Sequence, residues 1–190
     1  MKRIVTGFVA AVAMLCATIV SAAPLKLQPA NPQPSGLRQG LAVRYAYPEE
    51  VKSLADARVA IKQGGQAGRP LKGLDYADTA EGQPALTSKR AEFVAAQING
   101  YVRFDKPGIY NIDFLTNDGV RARIGGQVVS QFDGRQPCEP SFGSEVEVPQ
   151  AGWYKVDILY FQRYNTSCLH MRMGEKGKRL NWMPNSAFGY

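Results

Sequence analysis

The chain is poor in the residues that do chemistry. It has one histidine, His170, and three cysteines among 190 residues. No Cys-x-x-Cys spacing occurs, and one histidine leaves a zinc cluster short of ligands. There is no Gly-x-Ser-x-Gly elbow, no phosphate loop and no pair of carboxylates at catalytic spacing. These absences argue against an enzyme. The positive charges form no basic run and no basic helix, so nucleic acid is not an expected partner. Beyond residue 20 no apolar stretch is long enough to span a bilayer, so the mature chain is not expected to cross a membrane. No internal repeat is visible. Helices and strands do not alternate, which excludes a parallel α/β sheet.

What is present begins with a leader. Lys2 and Arg3 precede an apolar stretch over residues 4–20, and Val20-Ser21-Ala22 fits the small-x-small cleavage pattern. Residues 1–22 are therefore expected to be a secretory signal peptide, with a lone membrane anchor as the rival. Leu15 precedes Cys16, where a lipoprotein signal wants a small residue. Removing the leader leaves about 168 residues, the size of one domain. The formal charge falls from +7 to +5 with the loss of Lys2 and Arg3. A modest positive charge on an exported protein, periplasmic or secreted, favours acidic surfaces or acidic polysaccharides. In an oxidising compartment the leading reading of Cys138 and Cys168 is a disulfide, with a metal pair or two free thiols as rivals.

Residues 23–39 hold Pro24, Pro29, Pro32 and Pro34 and read as an extended lead-in. Residues 40–47 read as a strand. Residues 49–63 are the best helix candidate, with Val51, Leu54, Ala55 and Ile61 near helical spacing and Gly64-Gly65 to end it. A shorter helix followed by a strand is the alternative. Residues 65–87 are loop-like, anchored by Leu71, Leu74 and Tyr76. From Ala91 onward the period is two. Strands are expected over 93–104, 109–116, 120–124, 127–132, 143–148 and 153–162, then through Leu169, Met171 and Met173. The 153–162 strand is apolar on both faces, which suits a central position. Tyr101, Tyr110, Tyr154 and Tyr160 are expected in the core, and Trp182 and Phe188 to close the fold. Asn117-Asp118-Gly119 makes a good hairpin turn, because these residues tolerate positive φ; it could also hold a ligand. Many short strands joined by Gly and Pro turns mean an antiparallel sandwich or a barrel.

Several pieces in fixed order carry a family resemblance. They are Asn99-Gly100-Tyr101-Val102-Arg103-Phe104, Pro107-Gly108-Ile109-Tyr110, Asn117-Asp118-Gly119-Val120, Ile124-Gly125-Gly126, Ala151-Gly152-Trp153-Tyr154 and the terminal Trp182-Met183-Pro184. From residue 40 to the end the chain resembles the lectin-like domain of anthrax protective antigen and fungal flocculins, the PA-fourteen domain. The resemblance implies an all-β fold: one antiparallel β-sandwich, jelly-roll-like, over residues 40–190. The one short helix near the N-terminus would be a local elaboration.

In adhesin members two adjacent aspartates in this turn hold calcium, which binds sugar hydroxyls. By resemblance the candidate metal ligands are Asn117, Asp118 and Asn165, with the first carboxylate replaced by an amide. Calcium wants six to eight oxygens with enough negative charge, so the replacement weakens the case for it. Residues 131–143 form a second loop of interest, in which Asp133, Arg135 and Glu139 could meet a polar ligand. A Cys138–Cys168 disulfide would pin that loop beside Asn165. Phe132 and Tyr164 sit in loops, where an exposed ring could stack on a sugar. Arg121 and Arg123 alternate outward as a solvated face or a basic stripe. The leading expectation is a carbohydrate-binding module for adhesion or for handling an exported polysaccharide. The alternative is a structural or interaction subunit of a cell-envelope assembly, with protein partners and no sugar site.

Overall fold

The computed structural model describes residues 23–190; the expected signal peptide lies outside the described residues. The strands are β1 Leu25–Lys26, β2 Ala42–Ala46, β3 Gln66–Ala67, β4 Asp75–Tyr76, β5 Val94–Phe104, β6 Gly108–Thr116, β7 Val120–Ile124 and β8 Gln127–Phe132. They continue with β9 Glu139–Pro140, β10 Ser144–Val148, β11 Gly152–Gln162, β12 Leu169–Glu175, β13 Asn181–Trp182 and β14 Phe188–Gly189. One α-helix, α1, spans Leu54–Gly64. Two seven-stranded sheets stack as a sandwich. One has the order β1-β10-β6-β12-β13, with β4 on β12 and β9 on β6; the other has β3-β2-β5-β11-β7-β8, with β14 on β5. All pairs are antiparallel except β1 with β10.

Period-two alternation builds the core. Tyr110, Ile112 and Phe114 of β6 face Tyr154, Val156, Ile158 and Tyr160 of β11, and all are buried. Phe104 sets its ring edge-to-face against Tyr110 at 5.5 Å and Tyr154 at 5.1 Å. Each such ring adds about 0.5–1.5 kcal/mol beyond its area. β11 is central, between β5 and β7. Its other face carries Leu159 and Phe161 into a second cluster with Val51, Leu54, Ala57 and Ile61, so α1 covers the outside of this sheet.

The helix starts later than its apolar spacing suggests. Ser53 is the N-cap, its hydroxyl accepting from the Asp56 N–H at 3.1 Å, while the Asp56 carboxylate accepts from Lys52 N–H at 3.0 Å. The Gly65 N–H closes the far end on the Ile61 carbonyl. Two other details depart from expectation. Phe188 is buried as expected, but Trp182 is half exposed on an edge strand, and Tyr101 is only half-buried. The proline-rich lead-in is extended yet docked: Leu27 is buried, and Ala30 N–H donates to the Trp153 carbonyl at 2.8 Å.

The register separates two ends of the sandwich. Thr116 pairs with Leu169, Val94 with Gln162 and Val120 with Tyr160, so these strand ends and the loops beyond them share one pole. The lead-in and Gly189 attach near the other, where Trp153 and Tyr101 lie.

Candidate functional site

Residues 116–119 carry the chain from the end of β6 in one sheet to the start of β7 in the other. The two strands are not paired, so Asn117-Asp118-Gly119 is a corner between sheets and not the expected hairpin turn. None of the three has a positive φ. Gly119 is needed for room, because a Cβ there would overlap the Phe161 ring. The chain enters this corner between two packed layers, which is why Asn117 and Asp118 are both buried.

Three loops meet there. The Asn117 side chain accepts from Cys168 N–H at 3.0 Å and donates to the Thr166 carbonyl. The Gln136 N–H donates to the Asn117 carbonyl at 2.8 Å, and its side-chain amide donates to the carbonyls of Thr116 and Glu139. The expected disulfide between Cys138 and Cys168 is formed, and it ties the 131–143 loop to the 163–168 loop. Beneath them Gln162 is fully buried. Its amide donates to the carbonyls of Tyr164 and Thr166 at 2.8 Å, and its oxygen accepts from the Tyr160 hydroxyl at 3.0 Å.

Asp118 is the charged centre of the corner and is 1% exposed. Its Oδ2 accepts from Arg163 N–H at 2.7 Å, while Oδ1 is buried without a hydrogen-bond partner and lies 3.9 Å from Arg135 Nε. Burial pushes its carboxyl up to about 6; the Arg163 N–H and the charges of Arg135 and Arg163 pull the other way. Both guanidinium groups lie over the Tyr164 ring, Arg135 at 5.5 Å and Arg163 at 5.1 Å from its centroid. Phe93 meets the same ring edge-on at 4.9 Å. Cation–ring contacts of this kind hold a charged group in place while leaving its N–H donors free.

The structure thus brings together Asn117, Asp118, Arg135, Tyr164 and the disulfide. Three other expected residues make different contacts. Phe132 is half-buried against the main core and is not an exposed platform. Asn165 has φ +62°, a conformation Asn tolerates, and its N–H donates to Glu92 Oε1 at 3.3 Å. Thr166, not Asn165, meets Asn117. Asp133 Oδ1 accepts from the Leu54 N–H at 2.8 Å, satisfying a free donor at the start of α1. Asp133→Ala is expected to cost about 1 kcal/mol, the usual worth of such a cap, in urea denaturation. An unchanged midpoint would show the cap to be energetically idle. Arg121 and Arg123 lie half-buried beside Asp157 and Arg58 on the face that carries α1, away from the corner.

Sequence reasoning missed Arg163, Gln136, Gln162 and Thr166. Gln162 had a signal: it continues the apolar face of β11 with a polar side chain.

Calcium needs several oxygens and negative charge. At this corner Asp118 is the carboxylate, Asn117 turns an N–H donor toward the Thr166 carbonyl, and a guanidinium stands beside the orphaned oxygen. Among the described residues no group of three or more His, Cys, Asp or Glu is placed to hold a metal. The residues as arranged do not fit a calcium cage. Hollows of about 640 Å³ beside α1 and about 400 Å³ lined by Arg69, Tyr76 and Leu86 have none of Asn117, Asp118, Arg135 or Tyr164 in their linings.

The PA14 domain family model matches residues 76–186. The fold is similar to the PA14 domain of the antifreeze protein MpAFP, with a TM-score of 0.67 at 15% identity over 82% of this chain and 93% of that one. It is similar to the PA14 sugar-binding domain of an RTX adhesin, with a TM-score of 0.61 at 18% identity over 80% and 98%. It is also similar to the A domain of epithelial adhesin 9 from Candida glabrata, solved with Galβ1-3GlcNAc. There the TM-score is 0.63 at 14% identity over 84% and 92%. No curated protein matches the chain.

Proposed function

Because the chain belongs to the PA14 domain family, we propose that it is an exported carbohydrate-binding module that recognises a glycan without chemistry at the three-loop corner. The observation that carries this is the buried Asp118 with one oxygen orphaned, set beneath Arg135 and Tyr164 and walled by two loops that a disulfide joins. A buried charge, a half-exposed guanidinium above it and fixed walls suit a polar ligand bound through hydrogen bonds, which is what a sugar presents. Sugar-binding neighbours with the same fold support the reading. A disulfide suits an oxidising compartment outside the cytosol, periplasmic or secreted. Among the described residues no helix is long and apolar enough to cross a membrane.

A glycan array probed with the chain tests it. Binding is expected, and Tyr164→Ala is expected to weaken it about tenfold, or 1.4 kcal/mol, by removing the ring that holds Arg135 and Arg163 in place. A blank array would sink the proposal. One observation favours a second reading, a subunit of an envelope assembly. Phe142 is 80% exposed and Trp182 51%, both on loops or edges of the sheet that carries no helix. Scattered exposed apolar residues are ordinary, so this reading needs recovery of one specific partner from envelope extracts.

A further inference from the structure

We propose that Arg135 supplies from within the chain the cation that the corner carboxylate needs, and that the site therefore takes sugars bearing a carboxylate, without a metal. The proposal rests on the reading of the corner as a sugar site.

A buried carboxylate oxygen without a partner is costly, and a nearby cation offsets the cost. The group that stands there is Arg135, 3.9 Å from Asp118 Oδ1. Its position is set by the chain: residues 131–143 are held to the corner by Gln136 and by the disulfide, and Tyr164 lies under the guanidinium. Arg135 also reaches outward, its side chain being 49% exposed. A guanidinium has five N–H donors and no acceptor. Its Nε lies nearest Asp118, and among the described residues the guanidinium donates no hydrogen bond.

The charges around it decide what it can take. Arg163 lies on the same ring, with Glu50 at 3.8 Å. Three acids of this pole are engaged, while Glu139, opposite Thr116, and Asp78 are exposed without an ion pair among the described residues and lie beyond ion-pair distance of Arg135. Glu50 also pairs with Lys52 at 2.8 Å, Glu92 accepts from Asn165 N–H and Asp133 caps α1. Among the described residues Arg135 has no carboxylate within ion-pair distance except the buried Asp118. A bound divalent metal would accept any oxygen lone pair, hydroxyl or carboxylate alike. A guanidinium donates, and its planar fork matches a carboxylate with two parallel hydrogen bonds. The ring of Tyr164 beneath it holds that fork in place. The ligand class that fits is a uronic acid residue of a polysaccharide, and the formal charge of +5 without Lys2 and Arg3 favours its approach.

The test uses oligogalacturonate and a neutral galactose oligosaccharide of equal length, each titrated in excess calcium and in EDTA, with melting curves taken alongside. The wild type is expected to bind the acidic oligosaccharide about tenfold tighter than the neutral one, with the same affinity in calcium and in EDTA. Arg135→Gln is expected to erase that preference, and Arg135→Lys to keep part of it. A calcium-dependent rise in melting temperature would overturn the resident cation, whatever the sugars do. Equal or better binding of the neutral oligosaccharide, or an intact preference in Arg135→Gln, would overturn the acidic class and leave the sugar reading standing. If neither oligosaccharide binds and the array is blank, the sugar reading itself falls, and the acidic class with it.

Discussion

Replacing Cys138 and Cys168 together by serine is expected to lower the melting temperature by about ten degrees. The bond closes a loop with a sequence separation of 30. Opening a loop of that size releases chain entropy worth about 3 to 4 kcal/mol. For a domain of this length each kcal/mol moves the midpoint by about 2 to 4 °C. The loss should be local at first. Cys168 is fully buried and its N–H is the donor to the Asn117 side chain, so freeing it loosens the corner before the sheets. Hydrogen exchange should therefore rise first in residues 131–143 and 163–168, while β5 and β11 stay protected. Two reactive thiols at Cys138 and Cys168 in the unreduced protein, or an unchanged midpoint in the double variant, would refute the expectation.

Asp118→Asn is expected to stabilise the protein at neutral pH while impairing the corner. The Asp118 carboxyl is pushed up to about 6 by burial, against a reference of 3.8. Below 3.8 the group is protonated in both states and costs nothing. Between 3.8 and 6 the unfolded chain releases the proton and the folded one keeps it, so stability falls as pH rises through that window. Above 6 the deficit is complete, on the order of 3 kcal/mol. Asparagine keeps an acceptor for the Arg163 N–H and removes the buried charge. Its melting temperature should exceed the wild type by roughly five to ten degrees at pH 7.5, and the gap should close toward pH 4. A variant less stable than the wild type at pH 7.5, or a gap that ignores pH, would refute this. A group that costs stability where it stands fits a place kept for recognition better than one kept for folding.

Much of this fold is legible where a segment answers only to its own alternation. β6, β7, β8 and β11 lie within a residue of where period two puts them, because each buries one face or two on a wide core. The helix start is harder. Val51 is buried at a helical spacing from Leu54 but lies before the cap, and only the Ser53–Asp56 pair marks the true beginning. Residues 65–87 have no period to read, since Leu71 is fixed by a bridge to Leu41 and Tyr76 by pairing with Leu169. Family resemblance singled out Asp118, yet its setting depends on register. Thr116 opposite Leu169 is what brings Thr166 and Cys168 to Asn117, across separations of 49 and 51 residues. Asp133 looked like a ligand group for the same reason: the helix end it caps is 79 residues away in sequence.

The lead-in clasp sets how the molecule can be held. Leu25 and Lys26 pair with β10, Ala30 and Gln33 bind the start of β11, and Arg38 exchanges backbone bonds with Tyr190. By register Leu25 lies level with Tyr110 and Gly189 with Tyr101, each several residues from the strand ends at the corner. β1 runs parallel to β10 and β14 antiparallel to β5, so a tag joined to either outer segment would leave from the flank of the sandwich. A capture experiment therefore needs a linker at either terminus long enough to swing the corner clear of the chip.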